Sequence, residues 1–369
     1  MDVPIRSRSA KAGDTMFNKK TVLVIGAGGS QEANLPTGKE LKSRIASLLD
    51  IRFEDGIRRS SGDPLILDAL RHRVRQPNGQ PGDINPHLHA CWAIRDAMPQ
   101  AISIDNFIDA HSGDDKIELC GKLAIVRAIL KAEGDSLLYV NSERYNSHPK
   151  YEQLDETWFM GFLQLLTENC RVDDVGARLQ SIALIIFNYD RCVEHFLYHS
   201  LQTYYRVDGG KAAELMRNLE VYHPYGVVGR LPWQQNSGSI EFGAEPHTEQ
   251  LLSLATQIKT FTEGTDAESS EIVAIRQKIV EAKILVFLGF AFHRLNLRLL
   301  TPNIAAFPTG IKESYDYFAT AKGVSGSDCE VIKEDLIELK REKPFNGHLR
   351  NDLKCNLLLR EYWRSLSLS

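Results

Sequence analysis

The chain has 369 residues, of which 43 % are hydrophobic and 25 % charged, and a net charge of −4. This is ordinary globular usage, enough for a large core and one or two domains, without the basic field that would gather nucleic acid. No apolar run approaches the length of a membrane span, and the basic residues near the start (Arg6, Arg8, Lys11) have no apolar stretch behind them; neither a secretory signal nor a membrane anchor is expected, and a cytoplasmic location is.

Residues 1–20 are polar, with Pro4, Gly13 and several serines and lysines, and read as a flexible leader in which Met16 could be a second start. Val22 to Ile25 is a β-branched and aliphatic run without charge, which predicts a buried parallel strand covered on both faces. It stops at Gly26. Gly26, Gly28 and Gly29 allow a sharp turn and close approach of a ligand to the backbone. Ser30 can cap a following helix, whose exposed N–H groups suit a phosphate. Strand, glycine turn and helix together suggest a dinucleotide site, although Gln31 stands where a third glycine is usual and Asp50 falls in a helical pattern rather than at a strand end. A tight turn of small residues is the alternative.

Pro36 and Gly38 interrupt the next helical turns, and Leu41, Ile45 and Leu48 then recur at helical spacing. Turn signals surround helical pieces near 64–75 and 86–97. Ser103 or Asp105 is positioned to cap a helix that includes Phe107. Further helices are expected from Lys116 to Glu133 and from Thr157 to Asn169. Residues 40–180 thus read as a mostly helical insertion between the first strand and the second, Ile182 to Phe187. The second strand ends in Asn188-Tyr189-Asp190 and leads into a helix from Arg191 to Leu201. A short third strand, Glu220 to Tyr222, ends in His223-Pro224-Tyr225-Gly226. The fourth, Ile284 to Leu288, ends in Gly289-Phe290-Ala291-Phe292, and the fifth, Ser314 to Phe318, ends in Ala319-Thr320-Ala321. The expectation is an α/β fold with a doubly wound, Rossmann-like parallel sheet, in which ligands sit outside the carboxyl ends of the strands. Residues 342–369 read as a tail with a last helix from Leu349 to Leu366, whose Leu357, Leu358, Tyr362 and Trp363 are expected to pack on the body.

The six cysteines contain no Cys-x-x-Cys pair, so no ribbon-type zinc is expected and the thiols read as reduced and packed. His195 and His199 are spaced for one helix face, but no third metal ligand is evident. His111 reads as structural, and Asp105 and Asn106 as capping residues. On residue type alone, Asn188 and Asp190 are equally a strand-end turn, and His223 a packed or surface histidine.

Taken in order, Gly26-Ala27-Gly28-Gly29-Ser30, Leu35-Pro36-Thr37-Gly38, Phe187-Asn188-Tyr189-Asp190, His223-Pro224-Tyr225-Gly226 and Gly289-Phe290-Ala291-Phe292 resemble the motif series of a sirtuin-like domain. The series spans roughly residues 21–321, with the domain taken as 21–341. The zinc-binding cysteine pairs of protein deacetylases are absent, and Thr37-Gly38-Lys39 replaces the Asp-Phe-Arg that follows the loop proline there. The chain more closely resembles the bacterial sirtuin-like proteins of anti-phage defence that hydrolyse NAD, in particular the short chains that pair with a HerA-type ATPase.

The resemblance implies hydrolysis of NAD to nicotinamide and ADP-ribose, NAD as substrate without a metal, depletion of cellular NAD on phage infection, and gating by homo-oligomeric assembly or a HerA-type partner. It implies Asn188 and His223 as the catalytic pair. It also implies contacts to NAD from Gly26, Ala27, Gly28, Ser30, Asp190, Gly289, Phe290, Asn296 and Thr320, although Phe290 and Phe292 read first as core. The residue types suit the chemistry. Cleaving the nicotinamide–ribose bond makes an oxocarbenium-like centre, as in glycoside hydrolysis, and the neutral amide leaves without a strong acid. Asn188 offers a donor and an acceptor for ribose hydroxyls or water. His223 can take a proton near neutral pH. Asp190 could bind ribose or orient Asn188. Rival readings are a sirtuin-type deacylase or ADP-ribosyltransferase, a non-catalytic NAD-binding module that regulates a partner ATPase or nuclease, and, more remotely, a dehydrogenase. No basic stripe with interleaved aromatics suggests direct nucleic-acid binding by this chain alone.

Overall fold

The computed structural model describes residues 19–56, 58–141, 147–234, 238–260, 269–302, 314–341 and 343–367. The expected leader, apart from residues 19 and 20, and Met16 within it, lie outside the described residues. The strands are β1 (Thr21–Ile25), β2 (Arg52–Glu54), β3 (Arg58–Ser61), β4 (Ile182–Ile186), β5 (Glu220–Tyr222), β6 (Ile284–Leu288), β7 (Asp316–Thr320) and β8 (Asn346–Arg350). Six of them form a parallel sheet in the order β5-β4-β1-β6-β7-β8, while β2 and β3 make a separate antiparallel pair. The chain starts in the middle of the sheet, moves outward to β5, then returns to the far side of β1 and moves outward to β8. This is the doubly wound order, with its reversal between β1 and β6.

Alternation along the strands explains the two cores. Val22 and Val24 of β1 face the same side as Ala183, Ile185, Leu285 and Phe287, whereas Leu23 and Ile25 face the other with Leu184, Ile186, Val286 and Leu288. A central strand buried on both faces reads as a continuous apolar run, as β1, β4 and β6 do. The first face is covered by helices of the insertion, above all Asp115–Gly134, together with Thr248–Ala255 and Ser270–Glu281. The second is covered by Trp158–Thr167, Cys192–Tyr205 and Cys355–Glu361. Its aromatic centre is Trp158, which stacks on Phe159 at 4.4 Å between ring centroids.

The insertion is helical, with the β2–β3 pair as its exception. Three expectations need correction. Ser30 caps nothing: Ala27–Ser30 is a single helical turn, and the Ser30 hydroxyl accepts from Asn188. The helix proper, Gly38–Leu49, begins after a capping box in which Thr37 and Glu40 exchange bonds, with Thr37 N donating to Glu40 Oε2 at 2.7 Å. The strand expected from Ser314 to Phe318 runs two residues later, as β7. The C-terminal stretch is not a helix from Leu349: Asn346–Arg350 is the edge strand β8, and the helix Cys355–Glu361 follows it. Leu358 is fully buried there, and Tyr362 and Trp363 pack against the second core, while Leu357 stays exposed. Among the described residues no helix is long and apolar enough to cross a membrane.

Candidate functional site

The turns after β1 and β6 are pressed together at the reversal point. Gly26 N donates to Leu288 O at 3.0 Å, and Gly28 N to Gly289 O at 3.1 Å. A Cβ on Gly26 would lie 2.5 Å from Gly289 O. Gly289 itself has φ +59, and a Cβ on it would lie 2.0 Å from Gly29 N. Both positions therefore require glycine, one for close approach and the other for approach and left-handed backbone. The Gly289 turn is fastened to the next strand by Thr320, whose Oγ1 accepts from Gly289 N at 2.8 Å.

A cleft of about 850 Å³ opens over these turns. Gly28, Gly289, Phe290 and Thr320 line it, joined by the 31–37 loop, by Lys322 to Val324 after β7, and by Lys354 and Cys355. Its volume is in the range of small-molecule and cofactor sites. Cations (Arg44, Lys322, Lys354) and anions (Glu32, Glu40) both reach it. Glu32 doubles as a fastener: its oxygens accept from Trp158 N at 2.7 Å and Asn356 N at 3.0 Å, the starts of two helices. Burial pushes the Glu32 carboxyl upward against the pull of those two N–H groups. Trp158 Nε1 donates to Gly29 O at 2.8 Å, so the glycine turn is held from behind as well. Cys355 is buried, which pushes its thiol up to about 12 and leaves it a poor nucleophile.

Beside this cleft, at the ends of β4 and β5, a second group of expected residues forms a chain of hydrogen bonds. Asn188 Nδ2 donates to Ser30 Oγ at 3.0 Å and to Asp190 Oδ2 at 2.7 Å. The carboxylate fixes the amide's orientation, so that Nδ2 is held and Oδ1 is the amide's remaining acceptor. Asp190 is itself buried and accepts from Cys192 N at 3.1 Å through its other oxygen. Burial raises its pKa, with the Cys192 and Ser30 bonds opposing. His223 follows: Nδ1 lies 3.3 Å from Asn188 O and Nε2 lies 2.8 Å from Glu194 Oε1. Burial works to lower the His223 pKa, but the Glu194 carboxylate, the Asn188 carbonyl and Asp190 together outweigh it and the net direction is upward.

Ser30, Asn188, Asp190 and His223 are thus brought together, and Gly28, Gly289, Phe290 and Thr320 are brought together next to them. Gly26 and Ala27 sit at the base of the turn rather than on the cleft wall. Asn296 is not among the residues that line the cleft; it accepts from the Tyr225 hydroxyl. Phe290 is mostly core, edge-on to Phe187 at 5.1 Å, yet still borders the cleft. Asp105 caps nothing; Ser103 does so, and the Asp105 carboxylate accepts from the Tyr189 hydroxyl.

Compared with known proteins, the chain matches no family model, and no curated protein shows significant sequence similarity to it. Geometry alone therefore speaks for the site. It adds residues that the motifs do not include. Glu194 is one, and its only signal was an acidic side chain one helical turn after the strand-end Asp190. Arg44, Lys322 and Lys354 are others, with no local signal, because three distant segments bring them to one rim.

Proposed function

We propose that the chain binds NAD across the carboxyl ends of β1, β6 and β7 and hydrolyses its nicotinamide–ribose bond to nicotinamide and ADP-ribose. One observation carries this reading: a cleft of about 850 Å³ lies at the sheet's reversal point, floored by Gly28 and Gly289, with the oriented Asn188 amide alongside. Dinucleotides bind at such a point because backbone can approach their diphosphate there. Arg44, Lys322 and Lys354 supply balancing charge.

The reaction asks little of an acid, since nicotinamide leaves neutral. It asks for a polar group that holds ribose or water at the developing cation, and Asn188 Oδ1, without a hydrogen bond among the described residues, suits that role. The attacking water must lose a proton, which falls to His223 once one of its ring nitrogens is free. In the setting the resemblance implies, such turnover depletes NAD during phage infection, and assembly with itself or with a HerA-type ATPase gates it.

The second reading is an NAD-binding module without turnover. It is favoured by two features of the resting site: both His223 nitrogens are engaged, and neither Asn188 nor His223 is on the wall of the large cleft. Nicotinamide release from NAD by the purified chain, with and without a HerA-type ATPase, decides between them. Turnover that falls about 100-fold or more in Asn188→Ala is expected. Bound NAD that survives under both conditions would give the case to the binding module.

A further inference from the structure

Glu194 is buried, with its side chain 4 % exposed, in the first turn of the helix Cys192–Tyr205. Among the described residues its one hydrogen bond is at Oε1, which accepts from His223 Nε2, and the buried Oε2 has no partner. A carboxylate in that position is costly to bury unless something charged faces it. The group that faces it is an imidazole whose other nitrogen already points at a carbonyl, that of Asn188, which can only accept. A ring placed between a carboxylate and a carbonyl satisfies both neighbours best by donating from both nitrogens.

We propose that Glu194 is a positioning residue that holds His223 as an imidazolium and, through it, fixes the backbone of the Asn188 loop. The inference rests on the reading of Asn188 and His223 as the reacting pair. Two carboxylates act on the ring, Glu194 in contact and Asp190 through space, and both favour its charged form against the cost of burial. The resting site is therefore a locked one. A doubly protonated ring cannot accept a proton from water, so turnover belongs to the form in which His223 has lost its proton. In that form, water's oxygen bonds to the ribose anomeric carbon as nicotinamide departs, and the water proton passes to the freed imidazole nitrogen.

The test is ¹⁵N NMR of the histidine ring nitrogens in the full chain from about pH 5 to about 9, the range in which histidines titrate. His223→Gln assigns the His223 signals. Two protonated nitrogens are expected on His223 at neutral pH in the wild type, and a titration displaced to lower pH in Glu194→Gln. A singly protonated ring at neutral pH, or a titration unmoved by Glu194→Gln, would overturn the proposal. If Glu194→Gln does not fold, the protonation state in the wild type still decides. None of these signals depends on NAD turnover, so failure of the hydrolase reading leaves this test intact. Where turnover is present, the acid limb of its pH profile should move to lower pH in Glu194→Gln, which a purely structural contact would not cause.

Discussion

His195 and His199 show how much a side chain's neighbours decide. They share a helix face, and their rings meet edge-on at 4.6 Å. His195 Nε2 lies 3.0 Å from Leu138 O, and its ring stacks on Phe242 at 4.0 Å. Among the described residues no group of three His, Cys, Asp or Glu side chains is placed to hold a metal ion. Burial, helped by His148, lowers the His199 pKa to about 4, and burial lowers that of His195 as well. The buried His195 and the half-buried His199 are therefore both held neutral. In the unfolded chain they take up protons below the ordinary histidine value of 6.5, while the native state does not. Stability should then be full above that value and should fall as pH drops from 6.5 toward 4, with His199 responsible for something on the order of 3 kcal/mol at full extent. His223, displaced upward, works in the opposite sense: its contribution is present below 6.5 and is lost as pH rises through its folded value. Urea unfolding at a series of pH values checks this. The acid loss should shrink in His199→Gln, and an unchanged slope would show that His199 is not the group involved.

Between elements, the firmest link joins the insertion to the strand-end loop that holds Asn188. Glu133, near the end of the helix Asp115–Gly134, is fully buried, and its Oε1 accepts from Arg191 Nε at 3.0 Å and from Arg191 N at 3.2 Å. Arg191 reaches on to Ile240 O at 2.6 Å, and Gly243 N donates to Glu133 Oε2 at 3.0 Å. Every charge in this knot has a partner, so removing one side strands the other. Glu133→Ala should destabilise the fold by about 3–5 kcal/mol, read as a lower urea midpoint. A loss below about 1 kcal/mol, the range of an exposed pair, would mean that water relieves Arg191. Nothing local in the sequence marks this pair, since its partners are 58 residues apart. Strands show the same division. β1, β4 and β6 are legible because burial on both faces demands an unbroken apolar run. β8 is not: Asn346-Gly347-His348-Leu349-Arg350 is an edge strand with partly exposed residues, lacks β-branched side chains, and takes its conformation from pairing with β7.

For the whole molecule, the order β5-β4-β1-β6-β7-β8 explains why a series of short motifs far apart in sequence converges. All the motifs but Leu35-Pro36-Thr37-Gly38, which precedes the helix Gly38–Leu49, end a parallel strand, and parallel strands carry all their carboxyl ends to one edge of the sheet. The glycine turns and the Asn188 and His223 segments were legible for that reason. The composition of the cleft wall was not, because Arg44, Lys322 and Lys354 come from helix and loop positions with no pattern of their own. That wall gives a test of binding separate from catalysis. A ligand that occupies the folded cleft and not the unfolded chain stabilises by mass action, about 2.7 kcal/mol at a hundred times its dissociation constant. ADP-ribose, which keeps the diphosphate and both riboses but has no bond to cleave, should therefore raise Tm by several degrees. Among the described residues the exposed Lys354 side chain makes no hydrogen bond, and its charge acts on Glu32 through space, so Lys354→Glu should cost the unliganded protein no more than about 1 kcal/mol, the range of an exposed pair. Its reversed charge should nevertheless weaken ADP-ribose roughly tenfold, reducing the Tm rise at fixed ligand. An undiminished rise in Lys354→Glu would place the diphosphate elsewhere along the strand ends, and no rise in either protein would remove the dinucleotide from this cleft altogether.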